Sequence, residues 1–220
     1  MKKILFAGVG LFLVIGLLVT LQVAAAKDGL VPTRENSTLV DKAGKRVLVY
    51  TEVNEKNLHE TNPHWGIVFK DGKFGENAIL KSFANPLAFH DALLQTGSNP
   101  GNNLTKDVIG KSVEGDALQV TATWQGLGKE LSIGDIFYDK TGKGFEIKFG
   151  GNRKAAEEMN TGCITCLESC WIAITSNAKY PTITSATRAI SPNSLFKGRP
   201  EVLPGGNKPV IVIYRLTEKQ

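Results

Sequence analysis

Histidine and cysteine are scarce in this chain of 220 residues, with three of each. His59, His64 and His90 are the only imidazoles, and no Ser, His and Asp set has hydrolase spacing. The G-x-S-x-G elbow of an esterase is absent. No glycine-rich stretch ends in Gly-Lys-Ser/Thr, so a phosphate loop is excluded. There is no C-x-x-C-H for covalent haem and no Arg-Arg pair of a twin-arginine signal. No internal repeat is present. The basic residues, such as Lys106, Lys111, Lys129 and Lys148, are scattered rather than striped with aromatics, so nucleic acid is not an expected partner. No catalytic residue is indicated, and the reading leans away from an enzyme.

What is present begins at the start of the chain. Lys2 and Lys3 precede an uncharged, apolar run from Ile4 to Leu21. Val23-Ala24-Ala25-Ala26 then supplies the small-x-small pattern that signal peptidase reads. A signal peptide's apolar region is roughly 7–15 residues, and a membrane-spanning candidate starts near roughly 18. Residues 1–26 therefore read as a cleaved signal peptide or an uncleaved membrane anchor. Either places the rest of the chain outside the cytoplasm, with the membrane as a partner if the segment stays. Once Lys2 and Lys3 are removed, the net charge falls from +5 to +3.

Residues 27–44 are polar and turn-rich and read as a linker to one domain over 45–220. Arg46–Val53, Trp65–Phe69, Ala78–Phe83, Glu130–Tyr138, Phe145–Phe149 and Val210–Leu216 read as strands. Leu118, Val120, Ala122 and Trp124 alternate with polar residues, as in a half-buried strand. Asn85–Gly97 is the best helix, with Asn85 as cap, Pro86 in the first turn and Gly97 as the stop. Arg153–Met159 is a second, short one. Residues 181–208 read as a long loop. The expected fold is α+β: a mainly antiparallel sheet with one or two short helices packed on it, behind an N-terminal signal or anchor helix.

The cysteines lie together as Cys163, Cys166 and Cys170, spaced C-x2-C-x3-C. This matches the last three cysteines of the bacterial ferredoxin run, with Asn160 in place of the first and Trp171 in place of the proline. On a helix the three would share one face. They could hold a soft metal ion or part of a 4Fe–4S cluster for electron transfer, with His64 or His90 as a further ligand. Two alternatives stand beside this. Cys163 and Cys166 could form a disulfide, leaving a non-catalytic envelope domain that binds a ligand or protein near His90 and the Asn99–Asn103 turn. Or the cysteines could be a redox-active dithiol, which requires a thiol of lowered pKa. His90 and Asp91, adjacent on a helix, are not expected to pair.

Several stretches resemble a known family. They are His64-Trp65-Gly66-Ile67-Val68, Ala84-Asn85-Pro86-Leu87-Ala88-Phe89-His90-Asp91-Ala92-Leu93-Leu94, Asn99-Pro100-Gly101, and Gly162-Cys163-x-x-Cys166-Leu167-x-Ser169-Cys170 with Ser176-Asn177-Ala178. Together they resemble the YdjY-domain proteins over most of residues 45–215. The resemblance implies an exported bacterial domain of unknown function, often labelled ferredoxin-like or 4Fe–4S from the cysteine run. Relatives carry proline where this chain has Trp171.

Overall fold

The computed structural model describes residues 29–60, 62, 64–182 and 195–217. The export segment read at 1–26 lies outside them. Among the described residues, no helix is long and apolar enough to cross a membrane.

The strands are β1 (Thr38–Asp41), β2 (Arg46–Val53), β3 (Trp65–Phe69), β4 (Leu80–Ser82), β5 (Ala117–Thr123), β6 (Leu131–Ser132), β7 (Phe137–Asp139), β8 (Ile147–Phe149), β9 (Cys163–Cys166), β10 (Thr175–Asn177), β11 (Phe196–Gly198) and β12 (Pro209–Leu216). The α-helices are α1 (Glu55–Leu58), α2 (Pro86–Gln95), α3 (Ile133–Ile136) and α4 (Arg153–Met159). Hydrogen bonds run β2-β12-β5-β8-β10-β9-β3-β4, and β4 returns to β2. This is a closed eight-stranded barrel. It is mixed, because β3 with β4 and β9 with β10 are parallel while the other neighbours are antiparallel. β7 and β11 form a separate two-stranded sheet.

The expected α+β sheet with helices packed on it is thus overturned. The closure comes from β2. One of its edges pairs with β12 along its length. The other is split, with Arg46–Val49 paired to β1 and Thr51–Val53 to β4. A sheet closed on itself buries one face in its own interior, and needs no helical layer to cover it. Alternate residues supply that interior: Val47 and Val49 of β2, Val210, Val212 and Tyr214 of β12, and Val120 and Ala122 of β5. Leu48, Ile211 and Ile213 point the other way, into a second cluster with Leu30, Leu39 and Tyr50. That second cover explains why β2 and β12 read as nearly continuous apolar runs.

Other boundaries also moved. Thr38–Asp41, inside the supposed linker, forms β1. The single strand expected over Glu130–Tyr138 is broken by α3. Ser132 and Asp135 form a capping box there, with the Ser132 N–H donating to Asp135 Oδ2 at 2.9 Å, and this local pairing starts a helical turn. The long loop contains β11, and residues 183–194 of it lie outside the description. The helix at Asn85 is as expected: Asn85 Oδ1 accepts from the Leu87 N–H at 2.8 Å, and Gly97 turns left-handed with φ +87°. It sends Phe89 into the barrel core against Tyr214, with ring centroids 4.7 Å apart.

Candidate functional site

The cysteine segment is not helical. Cys163–Cys166 is strand β9, between β3 and β10. Residues three apart on a regular strand face opposite sides, so Cys163 and Cys166 would be separated. Here the register against β3 shifts: Val68 opposes Cys163 while Ile67 opposes Thr165, leaving Ile164 as an extra residue. A bulge of this kind re-aims side chains. Ile164 joins the barrel core, and the Thr165 hydroxyl meets those of Thr175 (2.8 Å) and Tyr214 (2.7 Å). Cys163 and Cys166 come together in a separate cluster with Ala173, Cys170 and Trp65. Entry to the strand is set by a close backbone contact: a Cβ on Gly162 (φ +85°) would lie 2.9 Å from Gly72 Cα and 3.0 Å from the Phe69 carbonyl oxygen.

All three cysteines are free thiols. Cys166 is fully buried, clusters with Cys163, and has Cys170 packed against that cluster. Those two contacts, with burial, push the Cys166 thiol well above its ordinary pKa. Cys170 moves the other way. The neighbouring Cys166 thiol lowers its pKa; burial opposes this, and the backbone N–H groups of Ile172 and Ala173 reinforce it. Cys170 is also the one of the three that is partly exposed. Its loop is tied down. Asn152 Nδ2 donates to the Cys170 and Ala173 carbonyls, both at 3.0 Å, and the Ser169 hydroxyl accepts from the Val113 N–H at 2.9 Å.

Of the histidines proposed as extra ligands, His64 lies at the edge of this site. Its carbonyl accepts the Leu167 N–H at 2.9 Å, and its Nδ1 is 3.5 Å from Glu168 Oε1. Burial brings the imidazole down to a pKa of about 4, so it is neutral at physiological pH. His90 is not brought to the thiols. It packs on Phe149, ring centroids 5.2 Å apart, and lines a different cleft. His59 is exposed after α1. The sequence reading also kept His90 and Asp91 apart, yet His90 Nδ1 and Asp91 Oδ1 stand 3.0 Å from each other. Adjacent helical residues diverge at Cβ, but a histidine side chain of this length can curl back to its neighbour's carboxylate.

A four-iron cluster takes four ligands, typically thiolates. This chain has three cysteines, and the structure packs them in one cluster. Among the described residues, no group of three or more His, Cys, Asp or Glu side chains is arranged to hold a metal ion. The three thiols are one short of a four-thiolate set. Glu168 and Asn152 were missed from sequence. Glu168 sits inside the cysteine run and was open to notice. Asn152 carried no signal, since its role depends on a left-handed backbone (φ 49°) just before α4.

Fold and site together define a class: a closed mixed β-barrel that carries a bulged strand with three contacting thiols on it. A family model described as the YdjY domain matches residues 38–215. The chain is also 37% identical over 199 residues to a protein of Escherichia coli (strain K12) named "Uncharacterized protein YdjY", covering 89% of this chain and 86% of that relative. The chain belongs to the YdjY-domain family. No solved structure matches it.

Proposed function

We propose that this domain is a thiol–disulfide exchange protein that works on the outer side of the cytoplasmic membrane. The location rests on residues 1–26. The chemistry rests on one observation: Cys163 and Cys166 share a buried cluster, and the partly exposed Cys170 packs against it as a free thiol. The thiolate is the nucleophile in such exchange, and neighbouring hydrogen-bond donors favour it.

The Cys170 thiolate attacks one sulfur of a small disulfide. A mixed disulfide forms and the first substrate thiolate leaves. Cys166 then loses its proton and attacks the Cys170 sulfur, which releases the second substrate thiolate. The products are a Cys166–Cys170 disulfide and two substrate thiols, which take up the two protons given by the cysteines. Two electrons pass from the protein to the substrate disulfide. Cys163, in the same cluster, can then attack the Cys166 sulfur, forming a Cys163–Cys166 disulfide and releasing Cys170 as the thiolate.

The test uses protein purified without oxygen, with iron, zinc and acid-labile sulfide measured first. It is then treated with 5,5′-dithiobis(2-nitrobenzoate) at mildly acid pH. Cys170 is expected to react first, and peptide mapping is expected to show a Cys166–Cys170 disulfide. Cys170→Ser is expected to remove the fast phase, and Cys166→Ser to trap the mixed disulfide. Stoichiometric bound metal, or native thiols that stay unreactive until the protein unfolds, would overturn the reading.

A further inference from the structure

A second site borders the cysteine loop on its Trp171 side. α2, α4 and the turn after Pro100 enclose a cleft of about 590 Å³, within the range of roughly 300–1,000 Å³ found for small-molecule pockets. Its apolar surface comes from Leu94, a large exposed hydrophobic residue, and from Trp171. Its charge is mainly positive. Lys106, Arg153 and Lys154 line it, and the lining carboxylate, Glu158, is already paired with Lys154 at 3.7 Å. Lys106 has no ion pair among the described residues.

At the wall of the cleft, His90 is 6% exposed. Its Nδ1 is taken by Asp91, which Arg153 holds in turn at 3.1 Å and 3.4 Å. With Nδ1 turned to the Asp91 carboxylate, Nε2 is the ring nitrogen left for a ligand. Nε2 has no partner among the described residues, and it is not one of their sealed, unpaired polar atoms. His90 itself lines the cleft.

We propose that this cleft binds a small organic acid with an aromatic or apolar body and a hydrogen-bond donor. The acid group meets Lys106 and the basic start of α4, the body lies on Trp171 and Leu94, and the donor reaches His90 Nε2. Cation, apolar platform and acceptor converge in one cavity, as a ligand site requires. The proposal is independent of the exchange reaction at Cys170.

Dansylglycine has these three parts, and dansylamide lacks only the acid arm. Fluorescence titration of the purified protein is expected to show saturable dansylglycine binding, with dansylamide roughly tenfold weaker or more. Lys106→Glu and Trp171→Ala are each expected to weaken dansylglycine by roughly fivefold or more. Lys73→Glu, an exposed lysine elsewhere, is expected to leave it unchanged. Thermal unfolding confirms that each variant is folded. Equal binding of the two probes, wild-type affinity in Lys106→Glu and Trp171→Ala, or no saturation below about 1 mM would overturn the proposal.

Discussion

Along β2 and β12 the barrel wall is a regular antiparallel ladder of seven paired residues, apolar on both faces. Along β3 and β9 it is short, twice shifted in register, and carries thiols outside and a Thr–Tyr hydroxyl network inside. Both walls belong to one closed ring, so their difference is not one of exposure: Ile213 and Cys166 are equally buried. It lies in what holds each wall in place. The first is held by hydrocarbon packing, which tolerates small shifts. The second is held by directional hydrogen bonds and close backbone contacts, which keep three sulfurs in a particular arrangement.

The largest expected effect falls on the regular wall. Ile213→Ala removes a fully buried side chain from the outer cluster and should cost about 3 kcal/mol. Urea unfolding should show the lower midpoint, while the reaction rate of the native Cys170 thiol stays as it was. An altered thiol rate would mean that the two walls are mechanically one. Next comes Gly162→Ala, on the bulged wall. Its backbone has φ +85°, and the new Cβ would press on Gly72 and Phe69. About 2 kcal/mol should be lost, and here the thiol rate should change as well, because Cys163 is the next residue. Unchanged thiol kinetics would separate the entry turn from the site.

The smallest effect is a pH dependence at His64. Its folded pKa is lowered to about 4 by burial, below the unfolded value of about 6.5. Between these values the unfolded chain binds a proton that the folded one does not, so stability falls as pH drops from about 6.5 towards about 4. Burial outweighs the Glu168 carboxylate 3.5 Å away, and at pH 4.5, still above the folded value, the loss is only partly developed. Denaturation curves at pH 7 and pH 4.5 should converge in His64→Gln relative to the wild type. Parallel curves in the two proteins would remove His64 as the cause.

Local signals were read well from the sequence. Asn85-Pro86 marked the α2 start because cap and first-turn chemistry are short-range, and β2, β3 and β12 were visible as β-branched runs. Closure was not legible. It depends on β4 returning to β2 and on two parallel pairings, and no residue in β4 announces its partner. The cysteine run was grouped correctly but placed on the wrong element. Spacings of three and four suit a helix face, and only the extra residue Ile164 lets a strand bring Cys163 and Cys166 together. The Ser132–Asp135 box was overlooked because its surroundings are rich in strand formers. Glu168 stood in view inside the cysteine run, but its pairing with His64 is a tertiary contact that no spacing in the sequence encodes.

β12, late in the chain, sits between β2 and β5 and pairs with both. Until Leu216 has been made, two of the barrel's longest strands each lack a neighbour, and the ring has a gap at its most regular wall. Contacts so distant in sequence form slowly. The barrel is thereby kept from closing early, and its seal waits for almost the last residue of the domain.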